Sequence, residues 1–143
     1  MPVKDIASDL EVLKNTAVSV AADGQETGES VDMADFGEGG MVVADVTSYT
    51  DGAHALTVQE SADDGDSDPW TDVPAEKLII NGTNIASNET SEGDALVKVG
   101  FFATKRYIRP AVDSSDVTTG AEIALSVIRK GEILPVAVEV PVP

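Results

Sequence analysis

The sequence predicts an all-β protein: an antiparallel β-sandwich, jelly-roll-like, with extended N- and C-terminal arms. Three observations support this. Apolar residues alternate with polar ones in short runs, as in strands with one buried face. Gly- and Asp-rich turns separate those runs at sandwich spacing. No helical period is long enough for a βαβ crossover. With 143 residues, the chain suits one domain that buries roughly two-thirds of its unfolded surface. The expected organisation is an N-terminal arm at 1–15, a sandwich at 16–134 and a Pro-rich arm at 135–143.

The elements follow in order. Val3, Ile6, Leu10 and Leu13 recur at spacings of three, four and three, which predicts a short amphipathic helix. Alone it is marginal. It either covers its own domain or reaches a neighbouring chain. From residue 16 the period becomes two. Val18 and Val20 precede the turn "ADGQETGES", and Val31 and Met33 lead to the loop "FGEGG". Val42, Ala44 and Val46 form one strand face, then Leu56 and Val58 another. "SADDGDSDPW" is too acidic for a strand, and a long connection surrounds the apolar run Leu78 to Ile80. Strand patterns resume in "ALVKVGFFA", "KRYIRPAV" and "AEIALSVIRK", and "DSSDVTTG" reads as a hairpin-like loop joining the last two. The expected inward residues are Val18, Val20, Val42, Val46, Leu56, Val58, Val99, Ile108, Leu125 and Val127. The tail "PVAVEVPVP" has three prolines in nine residues, so it is extended and excluded from a central strand.

Charge narrows the partners. The formal net charge is −17, and residues 1–97 carry 21 acids against three lysines. Phosphate binding needs clustered cations, so no nucleic acid partner is expected. The longest apolar runs fall far short of the roughly 20 residues of a membrane span. Acids occupy the place of a secretory apolar region, so a soluble protein is expected. Without cysteine there is no disulfide or thiolate metal site.

Candidate chemistry is sparse. His54, the single histidine, reads as a surface or strand-end residue, with no serine or carboxylate pair placed by sequence to serve it. Asp64, Asp66 and Asp68 match the start of a calcium loop. Pro69 then stands where glycine is required, and Ala75 where glutamate is. A solvated acidic loop is the favoured reading, with weak calcium binding the alternative. Trp70, the sole tryptophan, is expected to pack the long loop against the sandwich rather than to stack a sugar. Asn81-Gly82-Thr83 and Asn88-Glu89-Thr90 are chance matches to the glycosylation pattern. No enzyme, metal or cofactor is expected.

The stretch "KRYIR" at 105–109 holds three of the nine cations. In a strand, Lys105, Tyr107 and Arg109 share one face, opposite Ile108 and Val112. Either Lys105 and Arg109 neutralise acids on neighbouring strands, or the Tyr/Arg pair is an interface patch.

The succession "TDGAHALTVQESADDG", "WTDVP", "VGFFATKRYIRPAV", a Thr/Gly turn and a closing strand near a proline resembles a family of tailed-bacteriophage capsid decoration, or head cement, proteins. The resemblance covers about residues 16–135. Gln59, Glu60, Ser61 and Trp70 match its "QES" and aromatic positions, and Lys105, Arg106, Tyr107 and Arg109 its "G-K-R-Y-x-R" segment. Ala103-Thr104 departs from the usual glycine. The resemblance implies a virion structural protein on the outer capsid surface, bound to the major capsid protein and often a homo-oligomer (dimer or trimer). A head–tail connector or tail protein is the alternative, and a calcium- or carbohydrate-binding module a more distant one. Because so acidic a body repels a like-charged capsid, contact is expected from its least acidic parts: Ile6, Leu10 and Leu13, the arm residues Val138 and Val140, and secondarily Lys105, Tyr107 and Arg109.

Overall fold

The computed structural model describes residues 10–33, 39–80, 83–84, 89–90, 93–102 and 104–130. These form two antiparallel sheets, with strands numbered in chain order. The first sheet runs β1 (Leu10–Val20), β12 (Ala121–Lys130), β4 (Gly39–Thr47), β10 (Ala95–Phe102), β7 (Leu78–Ile80), β8 (Thr83–Asn84). The second runs β2 (Gly24–Thr27), β11 (Tyr107–Ser115), β5 (Ala53–Ser61), β6 (Thr71–Asp72). In it β3 (Val31–Asp32) also pairs with β11, and β9 (Glu89–Thr90) with β5. The only helical turn among the described residues is a 3-10 turn at Ala75–Lys77. The all-β sandwich expected from the alternating pattern is what forms.

Period-two alternation decides which face is buried. Val42, Ala44 and Val46 of β4 face inward with Val99 and Phe101 of β10 and with Ile123, Leu125 and Val127 of β12. Leu56 and Val58 of β5 and Ile108 and Val112 of β11 meet them from the other sheet. Nine of the ten expected inward residues are 2% exposed or less. Val18 is only partly buried, packed against the core from the edge strand β1. Burial of such apolar area is the main stabilising term, at roughly 25 cal/mol per Å².

Two local expectations are corrected. The helical reading fails where it reaches the described chain, because β1 begins at Leu10. Leu10 pairs with Lys130 and Val12 with Ile128, and the register slips between Val12 and Lys14. That bulge sets Leu13 out of step, so it packs against the core while Val12 stays exposed. The spacing that mimicked a helix is therefore a bulged strand. The sandwich begins about six residues earlier than expected, and Val3 and Ile6 lie outside the described residues.

Nor do β11 and β12 form a hairpin. β11 pairs in the second sheet and β12 in the first, so the 116–120 turn carries the chain between layers. Gly120 sits at φ +92, where an added Cβ would lie 1.7 Å from the Val20 carbonyl oxygen. Only glycine fits.

Candidate functional site

The KRYIR segment ends in β11, whose register brings Tyr107 opposite Ser61 and Arg109 opposite Gln59 on β5. Beyond β5 the chain makes the acidic loop 62–70 and returns as β6. Loop and strand face form one polar cluster, built from Ser61 outward.

Ser61 is fully buried. Its Oγ donates to the Asp68 carbonyl (2.7 Å) and accepts the N–H of Gly65 (2.8 Å) and of Asp63 (3.2 Å). The Asp63 carboxylate accepts the N–H groups of Ser67 and Asp68 at 2.8 and 2.9 Å. The Asp68 carboxylate accepts the Ala62 N–H at 2.8 Å and binds Lys105 Nζ at 2.8 Å. A loop with this many acids repels itself, and backbone donors offset that repulsion by hydrogen bonding to the charged form. Asp63 is accordingly held below its ordinary pKa, chiefly by the N–H of Asp68 and then of Ser67. Asp68 is lowered first by its hydrogen bond from Lys105, and Lys105 is raised by the same contact.

Trp70 closes the loop. The Arg109 guanidinium lies 4.5 Å from its ring centroid, a cation–π distance. Arg109 Nε donates to Gln59 Oε1 at 2.9 Å, and Gln59 Nε2 donates to Asp72 at 3.1 Å. Burial pulls the Arg109 pKa below its ordinary value. Gly65 passes beneath the indole at φ +82, where a Cβ would come within 2.5 Å of Trp70 Nε1. Nearby, the inward-facing Glu60 accepts the N–H and the hydroxyl of Thr104 at 3.2 and 3.1 Å. Arg106 makes a two-pronged contact with Asp32 (2.9 and 2.7 Å) and lies 5.2 Å from the Tyr107 ring centroid.

Tyr107 and Arg109 lie on β11 and Lys105 in the bend just before it, and Lys105 and Arg109 turn toward the chain itself. Lys105 finds its acid in the 62–70 loop rather than on a neighbouring strand. Arg109 finds an amide oxygen and an aromatic face instead. Of the three acids whose spacing suggested calcium, Asp68 serves the Ala62 N–H and Lys105, and no cluster of three or more potential ligands occurs among the described residues. Trp70 packs the loop on the sandwich as expected. Of the other anticipated contact residues, Leu10 opens β1 and Leu13 packs inward. Ile6, Val138 and Val140 lie outside the described residues.

A second polar cluster, which sequence reading missed, lies at the opposite end of β5. His54 is 2% exposed, so it is a strand-end residue but not a surface one. Its Nε2 faces the Asp51 carbonyl at 3.1 Å and its Nδ1 meets Ser114 Oγ at 2.8 Å. A carbonyl only accepts, so Nε2 carries the proton and, in the neutral ring, Nδ1 accepts from Ser114. The Tyr49 ring packs edge-on at 5.8 Å. The Asp51 carboxylate accepts the N–H groups of Thr118, Thr119 and Gly120 at 2.9–3.1 Å. The first of these is the main cause of its lowered pKa. The cluster ties the turn between the sheets to β5. Ser114, buried beside the ring, lies sixty residues away in sequence, so nothing local announces it.

A scan against protein-family models finds no match, and no curated protein or solved structure is significantly similar to this chain.

Proposed function

We propose that the protein is a non-catalytic virion structural component that decorates the outside of a phage head and stabilises the lattice of its major capsid protein. The reading rests on the sequence resemblance, and one geometric observation carries it further. Leu10 lies directly opposite Lys130 in adjacent antiparallel strands. The points where residues 1–9 and 131–143 join the described domain are therefore side by side at one end of one sheet, and a clamp fastened to a surface by its ends is built that way. Residues 1–9 carry two acids and one lysine, so they approach an acidic lattice at less electrostatic cost than the body does. Many copies, each with a modest footprint, give a lattice-wide attachment far stronger than one contact.

The nested pairing fits this role. β1 lies beside β12 and β2 beside β11, with β4 and β5 next inward in their sheets. We read that order as a jelly roll wound from the two chain ends, a closed unit suited to a surface lattice. The KRYIR face becomes a minor contact, because Lys105 is engaged by Asp68 of the loop and Arg109 by Trp70 and by Gln59 of β5.

Deletion of residues 2–9, which leaves β1 intact, tests the attachment. The shortened protein should keep its far-UV spectrum and lose occupancy on purified capsids in moderate salt. Full occupancy would overturn the role given to this segment. Copy number tests the class: a decoration protein approaches capsid-protein stoichiometry in purified particles, and a connector does not.

A further inference from the structure

β1 is the outermost strand of its sheet. One side pairs with β12, and among the described residues no strand pairs with the other. Glu29 meets β1 at side chains, its N–H donating to Thr16 Oγ1 and its carboxylate lying 3.9 Å from Lys14 Nζ. An open edge of this length is a template for another strand. The bulge between Val12 and Lys14 leaves residues 14–20 as its regular stretch.

The end of the chain has the sequence of a strand for such an edge. Leu134, Val136, Val138, Val140 and Val142 alternate with Pro135, Ala137, Glu139, Pro141 and Pro143. In an extended chain, successive side chains point to opposite faces, and successive N–H groups point to opposite edges. The even residues thus share one apolar face and one edge with every donor intact. All three prolines fall on the other edge, which therefore lacks donors at 135, 141 and 143. Proline is tolerated in a sheet when its missing N–H faces solvent from an edge strand. Residues 134–142 are therefore competent to pair along one edge only.

Topology selects the donor. β12 ends at Lys130 beside Leu10, where residues 1–9 lead into β1. To reach the far side of β1, the same chain would cross that entry and then run parallel to β1. Crossing connections at one end of a sheet are avoided, and parallel pairing is slightly weaker per residue. A second copy meets neither constraint.

We infer that the open edge of β1 receives residues 134–142 of a second copy of this chain as an added antiparallel strand. Reciprocal exchange closes a dimer, and head-to-tail exchange closes a ring. The proline edge ends the sheet, so addition stops at one strand and no fibre grows. The inference concerns the isolated protein and stands apart from the capsid reading.

Proline scanning of the full-length chain tests it, because side-chain parity makes opposite predictions for neighbouring positions. The wild type should scatter light as a multiple of 14.8 kDa, with slow exchange at the alternate amides of residues 14–20 that point away from β12. Val138→Pro removes a donor from the pairing edge and should weaken association by about tenfold or more. It should also release the protection of the 14–20 amides that face the open edge, while those facing β12 stay protected. Ala137→Pro removes a donor from the solvent edge and should leave both unchanged. Should Val138→Pro fail to fold by circular dichroism, Val140→Pro and its control Glu139→Pro replace the pair. A single-chain mass for the wild type overturns the inference, and slow exchange in that monomer at the 14–20 amides that point away from β12 would mean that the chain's own tail pairs there. An oligomer indifferent to the even-position prolines, or equally sensitive to both parities, overturns it as well.

Discussion

The two sheets bury the same kinds of residue on their facing sides and differ on their outward sides. Outside the second sheet lies the 62–70 loop, with Trp70 under Arg109, Lys105 on Asp68, and Gln59 and Ser61 buried beneath. The first sheet has no such cover among the described residues. Val12, Leu96 and Phe102, 61, 72 and 50% exposed, are the large exposed apolar residues among those described, and all lie on its outward face. What separates the two is one loop laid across one sheet. A sheet sealed by its own chain has little left to offer a partner, whereas the bare sheet with an open edge retains the capacity to bind.

The strongest way to break the comparison is to remove what the sheets share. Ile108→Ala or Leu125→Ala opens a cavity between them and should cost about 2–5 kcal/mol, read by urea unfolding. A loss well below 1 kcal/mol would mean that the facing sides are not one core. Next comes the seal. Gly65→Ala imposes a left-handed backbone on alanine and drives its Cβ toward the indole. It should cost about 1–3 kcal/mol and shift the emission of the sole tryptophan.

Titration sharpens the contrast further. Asp63 and Asp68 are both lowered from the ordinary value of 3.8. Groups with lowered native pKa stabilise the fold in full above their unfolded value and lose that contribution as pH falls through the native one. Lys105 is raised from 10.5, so its part is complete below that value and lost as pH rises through the raised one. Trp70 emission should therefore hold steady between these limits and change toward solvent exposure below about pH 3.8 and above about pH 10.5, the ordinary values of the two residue types. Lys105→Met should remove the alkaline change and leave the Asp63 part of the acid one. A tryptophan signal flat across both ends would refute the clamp. The smallest effect belongs to the bare sheet: Phe102→Ser should alter stability by no more than about 0.5 kcal/mol. A large loss would show that this face is already covered.

The sequence alone determined the fold class and the buried faces, because period-two alternation is a local property and burial follows it. Val42, Val58, Val99, Ile108 and Leu125 were legible one strand at a time. Trp70 could be assigned to the loop because an acidic segment with one large aromatic has few other ways to become ordered. Only the tertiary structure decided where polar groups go. Arg109 chose Gln59 and Trp70 over an acid because the register of β11 on β5 places those groups within reach. His54 was buried because Ser114, Asp51 and Tyr49 converge on it from separate segments. The helical spacing at Leu10 and Leu13 became a bulged strand because β12, more than a hundred residues away, supplies a ladder. A pattern carried by one strand can be read from that strand. A partner supplied by a distant segment depends on sheet order and register, which no local window contains.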